Sequence, residues 1–460
     1  MFVKKYSLKH DIEPEEYWEK SLAVDFASAI EPPTIAAEQV KDLDFVIIAR
    51  NFRNYYHFIT EALIQLELVD QLKHHRGKIV LVSFGKEQSG FCEKLIEDFY
   101  PDLKPRVSFV FGKYQSEKAI LPLQSYTQYF YGPMSEEIDV TNVLPNRDQW
   151  GVGPNISNFT QAVILQNSFE STLLRFHKRV TKLIKDDETP DLPKRVWIGR
   201  NEDSVRSRTM ANGDLLFSRL KQIGFKEVFL EDLQPIEQAA LFRSAEIVVG
   251  QHGAGFTNMM FSTSKTLFIE IGNFLSVKNR SWDWDQFTFV FGCRYLKFIG
   301  DIHEDEVVNV KENFASILPI SLSEKAVDVI TDVIRLNLNM NPEYADTYSL
   351  LNALVQCDEW KHVERMIAQL REDQYVDVPQ LLLCLADWQI YNQDYDDAIE
   401  SLQTAGFLDV GKQEILLRKI EIARLTKDND LTTKLLMDAG RLFPDRIKRF
   451  EKASQFGYCP

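Results

Sequence analysis

The chain has 460 residues, too many for one ordinary hydrophobic core, so two or three domains are expected. Hydrophobic residues make up 45% and charged residues 26%, the balance of a soluble globular protein and not of a disordered one. A net charge of -15, with a pI near 5.2, argues against a general nucleic-acid binder and against a surface for anionic membranes.

From Met1 to His10 the charges are followed by no apolar core, so no signal peptide is expected, and no apolar run is long enough to span a bilayer. Cys92, Cys293, Cys357, Cys384 and Cys459 have neither CxxC nor metal-finger spacing. They read as reduced, buried thiols of a cytoplasmic protein.

Strands are predicted at Phe45–Ala49, Lys78–Phe84 and Val107–Phe111, with helices over Tyr55–Gln71 and Gly90–Tyr100 between them. This is the alternation of a doubly wound sheet. Thr141–Ser157, with its prolines and glycines, reads as a linker, and Phe159–Asp186 as a long amphipathic helix. A second alternating block follows. Its strands are predicted at Arg195–Ile198, Val228–Leu230, Ile247–Val249 and Leu267–Ile271, its helices at Gly213–Gln222 and Pro235–Arg243. Pro235 suits a helix start, where its missing amide would be orphaned anyway.

From Asn341 the chain reads as helix throughout. Asp358-Glu-Trp360, Gln393-Asp-Tyr395 and Asp428-Asn-Asp430-Leu431 recur about 35 residues apart, each between two amphipathic stretches. That layout resembles tetratricopeptide-type repeats. The fold class expected is thus α/β, with two alternating units (1–150 and 151–338, the second with a leading linker helix) that suggest a cleft between them, followed by an all-α helical-repeat domain at 339–460.

Three stretches carry residue types suited to chemistry. Asn54-Tyr-Tyr-His57-Phe-Ile-Thr-Glu61 opens the first helix, and His57 and Glu61, four apart, share one helix face. A carboxylate one turn from a histidine orients the ring and raises its basicity, which makes a proton-transfer pair. Taken by itself, the segment also fits a packed helix face with His57 bonded to backbone.

Arg200 closes a strand, where a guanidinium fork can face phosphate oxygens. In the loop beyond it, Arg206 reads as a solvated charge balanced by Glu202 and Asp203.

Ala245–Asn258 is the most informative stretch. An apolar β-branched run ends in a glycine turn, and His252-Gly253-Ala254-Gly255 opens a short helix. Glycines let the backbone come close to an anion, and helix-opening amides supply donors for it. Glu270 sits inside the apolar strand Leu267-Phe-Ile-Glu-Ile-Gly272 and needs a partner, either ribose hydroxyls or an arginine of the core. A sugar nucleotide, with diphosphate, diol and sugar, fits a phosphate seat beside a hydroxyl-binding acid. Trp282-Asp-Trp-Asp285 offers an Asp-x-Asp that could meet a metal-bound diphosphate but reads as a helix cap. No metal-ligand cluster, Walker-A loop, Gly-x-Ser-x-Gly elbow or dinucleotide fingerprint is present.

Taken together, these motifs resemble glycosyltransferase family 61 over about residues 40 to 300. They are Asn54, His57 and Glu61, then Arg200, Arg208, Asn212, Gly224-Phe225, Gln238, His252 to Gly255, Asn258 and Glu270. The resemblance implies a GT-B arrangement of two Rossmann-like domains facing a cleft, with the acceptor on the first domain and the donor nucleotide-sugar, expected to be a UDP-sugar, on the second. It implies inversion at the anomeric carbon, no cofactor and no strict need for a metal. In that frame Arg200, Arg208, His252 and the amides of Gly253, Ala254 and Gly255 neutralise the diphosphate, with Asn212 and Asn258 in the same donor site. Glu270 binds ribose, and His57 or Glu61 is the base that deprotonates the acceptor hydroxyl. Members of this family are often secreted; the absence of a leader and the added helical tail point to a bacterial cytoplasmic enzyme that builds surface polysaccharide or modifies proteins. The tail would recruit a glycan or protein acceptor, a partner enzyme or a second copy. Two other readings stay open: a sugar-nucleotide epimerase, and a non-catalytic carbohydrate-binding scaffold working through its repeats.

Overall fold

The computed structural model describes residues 40–49, 52–72, 74–83, 88–122, 171–184, 192–200, 210–273, 284, 287–288, 291–302, 320–408 and 410–443. The predicted linker Thr141–Ser157 lies outside them. One compact unit, within residues 10–210 and 224–321, holds β1 to β5 and β7 to β11 below, and the other holds the helices from residue 322 onward together with residues 211–223.

In the first unit, β1 (Asp44–Ala49) leads into one helical segment that changes winding as it goes. An α-helical turn α1 (Tyr55–His57) passes into a π-helical turn (Phe58–Ala62), a 3-10 turn (Leu63–Gln65) and α2 (Leu66–Gln71). Then come β2 (Ile79–Ser83), α3 (Gly90–Phe99), β3 (Val107–Phe111) and the short β4 (Ala119–Ile120). The four strands are parallel in the order β3-β2-β1-β4, with Phe45 opposite Ile79 and Ile79 opposite Val107. β2 is buried along its whole length, which its unbroken apolar run requires of a strand covered on both faces. Of the long helix predicted from Phe159, the described part is α4 (Ser171–Leu183). Leu173, Phe176 and Val180 form its buried stripe, and the Phe176 ring stacks on Tyr100 at 6.0 Å. Glu67 accepts from Arg179 Nε (2.6 Å) and from the Tyr100 hydroxyl (2.9 Å), which ties α4 to α2 and α3.

The second block comprises β5 (Arg195–Ile198), β6 (Met210–Ala211), α5 (Gly213–Gln222), β7 (Lys226–Val228), α6 (Pro235–Ser244), β8 (Ile247–Gln251), a 3-10 helix (Ala254–Phe261), β9 (Leu267–Asn273), β10 (Arg294–Ile302) and β11 (Ile320–Ser321). The sheet order is β6-β11-β10-β9-β8-β5-β7, parallel from β7 to β10, with β11 antiparallel to β10. The strand expected to reach Leu230 stops at Val228, because Leu230 begins a 3-10 turn ending at Asp232. β10 had no predicted counterpart. Along this sheet the strand order reverses between β5 and β8, and a crevice outside the carboxyl ends of strands at such a point is where open α/β sheets hold ligands.

The second unit is helical: α7 (Glu324–Asn337), α8 (Thr347–Gln356), α9 (Trp360–Ile367), α10 (Glu372–Asp377), α11 (Leu381–Asn392), α12 (Tyr395–Phe407), α13 (Lys412–Leu425) and α14 (Asn429–Leu442). The recurring sequence motif has a backbone cause. Asp358, Gln393 and Lys427 each take the left-handed conformation (φ 56, 69 and 59) directly after a helix. The next amide then reaches back to close the helix, Glu359 N to Leu354 O, Asp394 N to Gln389 O and Asp428 N to Ala423 O, each at 2.9 Å. Arg418 on α13 clasps Asp387 on α11 with two bonds of 2.7 Å. Among the described residues no helix is long and apolar enough to cross a membrane, and Cys92, Cys293, Cys357 and Cys384 are buried free thiols.

Candidate functional site

At the carboxyl end of β1, Asn54 caps α1 by accepting from the His57 amide at 3.3 Å. One turn on, His57 Nδ1 lies 2.7 Å from Glu61 Oε1, with the histidine side chain 21% exposed and the glutamate fully buried. An ionised carboxylate can only accept, so the proton sits on Nδ1 and Nε2 is the basic ring nitrogen. Glu61 belongs to the π-helical turn, where the Leu63 amide reaches back to Phe58 O as well as Ile59 O. Such turns are rare and frequent at functional sites.

A second pair with the same geometry stands on the other sheet. His252 Nδ1 lies 2.7 Å from Glu270 Oε1, and here the ring is only 3% exposed. The two meet because β8 and β9 are neighbours, with Gly250 opposite Glu270, and the His252 amide donates to Ile271 O at 2.9 Å. Glu270 also accepts from Trp284 Nε1 (2.9 Å) and from the Tyr295 hydroxyl, and Lys297 Nζ lies 3.3 Å away. Burial pushes its carboxyl up, but the charges of His252 and Lys297 and the bonds from His252 and Tyr295 outweigh that and hold it well below the usual range. All four partners are protein groups around a side chain with no exposed surface, so a ribose hydroxyl would have to displace one of them.

Ring contacts connect the pairs. Tyr56 is 5.4 Å from His57 and 5.5 Å from Trp284, which is 6.3 Å from His252. Below them runs a polar bridge: the Tyr55 hydroxyl donates to Asn258 Oδ1 (2.7 Å), Asn258 Nδ2 to Gln238 Oε1 (2.9 Å), and Gln238 Nε2 to Leu230 O (2.7 Å). Asn258 is completely buried and joins the helix after β1 to the second sheet. Asn258→Leu, similar in size, is expected to destabilise the fold by roughly 2–4 kcal/mol, since it strands two buried polar groups at once. Urea unfolding checks this, and a loss under about 1 kcal/mol, the net worth of one ordinary hydrogen bond, would show that the bridge is dispensable.

Arg200 follows β5 and donates Nη2 to His252 O at 2.7 Å, with Gln251 O at 3.4 Å. Among the described residues no carboxylate lies within ion-pair distance of it, and burial lowers its pKa while Glu231 and Glu270 at longer range raise it. Nearby, the Gln251 side-chain oxygen and the Thr257 hydroxyl are buried without a hydrogen-bond partner among the described residues. Gly253 is extended (φ 172), an angle open to any residue. Gly255 is a packing glycine, because a Cβ there would come 2.8 Å from Leu230 Cδ1. The amides of Ala254 and Gly255 open the 3-10 helix, where no earlier carbonyl of the helix can take them.

Six predicted site residues (His57, Glu61, Arg200, His252, Asn258 and Glu270) thus come together with the loop Gly253–Gly255. Arg208 lies outside the described residues, as do Arg206 and the Asp283 and Asp285 pair. Asn212 belongs to the helical unit, where it is left-handed (φ 61) and donates to Leu322 O at 2.6 Å. Among the described residues no group of three or more His, Cys, Asp and Glu could hold a metal ion. Sequence reasoning missed Tyr55, Trp284, Tyr295 and Lys297. The last two gave little signal, because Arg294-Tyr-Leu-Lys-Phe-Ile has no strict alternation of polar and apolar residues to mark it as a half-buried strand.

The family model of glycosyltransferase 61 matches residues 55–269. The match opens at Tyr55, takes in both histidines, Glu61, Arg200 and Asn258, and stops one residue short of Glu270. It supports placement in glycosyltransferase family 61 and, with it, a transferase acting between a sugar donor and an acceptor. No curated protein matches the chain.

Proposed function

We propose that this protein is an inverting glycosyltransferase that moves a sugar from a nucleotide-sugar, a UDP-sugar in our reading, to a hydroxyl of a glycan or protein. The observation that carries this is the pairing of two histidine–carboxylate couples, one per parallel sheet, with an arginine unmatched by any carboxylate in the described structure at the point where the second sheet's order reverses. In the reaction, the acceptor oxygen bonds to the anomeric carbon as the bond to the diphosphate breaks on the opposite face. His57 Nε2 takes the acceptor proton, and Glu61 stabilises the imidazolium that forms. Charge develops on the departing diphosphate, and Arg200, Arg208, His252 and the loop amides of Gly253, Ala254 and Gly255 meet it. In this reading Glu270 acts on the donor through His252, and Asn258 holds the loop in place. Two Rossmann-like domains (1–150 for the acceptor, 151–338 for the donor) in a GT-B arrangement and tetratricopeptide-like repeats at 339–460 complete it. The setting we propose is the bacterial cytoplasm and surface polysaccharide or protein modification, with the repeats recruiting an acceptor, a partner enzyme or a second copy.

A ligand that binds the native state alone stabilises it by mass action, by about 2.7 kcal/mol at a hundredfold excess over Kd. Titration with UDP is therefore expected to raise the melting temperature by several degrees. No shift with any nucleoside diphosphate or sugar nucleotide would overturn the proposal. Conversion of a sugar nucleotide to its epimer without acceptor would replace transfer with epimerisation.

A further inference from the structure

The Glu270 carboxylate has more claimants than one histidine needs. Oε1 takes His252 and Trp284; Oε2 takes Tyr295 and Lys297. The strand ladder fixes this sharing, since Lys297 on β10 lies directly opposite Glu270 on β9, and residues paired in register show their side chains on the same face. Lys297 is 12% exposed and Glu270 not at all, so water screens their interaction weakly.

We infer that Lys297, assisted by Tyr295, sets the charge state of His252 and thereby the pH range in which the His252 face holds an anion; the second clause rests on the donor-site reading above. A carboxylate with the histidine as its sole cation would demand that the ring stay protonated. Here the Lys297 ammonium already answers part of the negative charge, so the carboxylate holds the ring proton less tightly than it would with the histidine alone. Among the described residues, these charged, titratable or hydrogen-bonding groups stand around His252. Glu270 comes from β9, Tyr295 and Lys297 from β10, Trp284 from the segment before it, and Arg200 from beyond β5, with its guanidinium on the carbonyl of His252 itself. The 3-10 helix that follows, Ala254–Phe261, contains no charged or titratable side chain. Among the described residues Lys297 is therefore the cation placed to compete with the ring for its carboxylate, and it acts as a positioning residue with no need to touch substrate.

The test is an NMR titration of the histidine ring carbons in the ligand-free full-length protein, with the His252 resonance assigned by its loss in His252→Gln. In Lys297→Met the His252 midpoint is expected to rise by about 1 pH unit, the scale of one lost charge a few ångströms away in a partly buried site. Lys297→Arg keeps the charge and the midpoint, and Glu270→Gln moves it down. Tyr295→Phe, which removes one bond from Oε2 without changing charge, is expected to raise it by less and serves if Lys297→Met does not fold. The alkaline limit of UDP binding should move with the midpoint. A residue with only a packing role would change the melting temperature and leave the titration alone. An unmoved midpoint in both Lys297→Met and Tyr295→Phe, or the same rise in Lys297→Arg as in Lys297→Met, overturns the inference. Failure of UDP to bind at any pH, with the titrations as described, instead overturns the donor reading.

Discussion

Glu61→Gln is expected to lower the transfer kcat by about 10²- to 10⁴-fold, the range that general acid–base catalysis contributes, while leaving the affinity for UDP unchanged. The replacement keeps the shape of the side chain and can still bond Nδ1 of His57. What it removes is the negative charge that would make protonation of Nε2 favourable as the acceptor hydroxyl attacks and gives up its proton. His57→Ala, which removes the proposed base outright, should lose at least as much. Glu61 is completely buried against a ring that is one-fifth exposed, and among the described ring contacts that ring reaches the second pair through Tyr56 and Trp284, so the charge change acts first on His57. Donor turnover in the presence of acceptor, together with a UDP binding curve, separates the two. Equal losses in turnover and in UDP affinity would mean that the pair holds the fold and does not move the proton.

Glu270→Ala is expected to cost roughly 3–5 kcal/mol of folding stability, the penalty for removing one partner of a buried ion pair. The loss comes from what remains: Lys297 and His252 beside each other without their anion, and two hydrogen bond donors, on Trp284 and Tyr295, with no acceptor. A pH signature accompanies it. The carboxyl lies lower in the folded state than its ordinary value of 4.5, so the unfolded chain binds the proton more readily. Its contribution to stability is therefore full at neutral pH and falls away as the pH drops below that ordinary value, through the folded one. Thermal melts of the parent protein should decline in acid more steeply than those of Glu270→Ala, once the constant offset is removed. Parallel curves would show that Glu270 carries no charge linked to folding.

The fold was legible wherever a strand carried an unbroken β-branched run, as in Phe45–Ala49 and Ile247–Val249, since such runs suit burial on both faces. It was less legible in β10, where Arg294, Tyr295 and Lys297 interrupt the apolar residues. That gap also hid half of the site: without β10 there is no Lys297 opposite Glu270, and the glutamate's partner had to be sought in a ribose or an arginine. The His57–Glu61 pair was readable because both residues lie on one helical segment, and i,i+4 neighbours meet whatever the rest of the chain does. The His252–Glu270 bond is eighteen positions long and depends on which strands lie side by side, which only the sheet order supplies. Tyr55 and Asn258 are still further apart, and their hydrogen bond follows from the packing of the helix after β1 against the 3-10 helix Ala254–Phe261.

The π-helical turn at Phe58–Ala62 has a consequence for how this protein tolerates change in length. A turn closed by i→i+5 bonds holds one residue more than the helix around it requires, so losing a single residue there would let the backbone return to the commoner and better-bonded winding. The same loss would turn every side chain beyond it by about a quarter of a revolution, the angular step of one helical residue; taken between His57 and Glu61, it would also shorten their spacing from four residues to three and change how the carboxylate meets the ring. Backbone economy and the geometry of the His57–Glu61 pair thus pull this segment in opposite directions, so a change of length here falls first on how the two side chains meet.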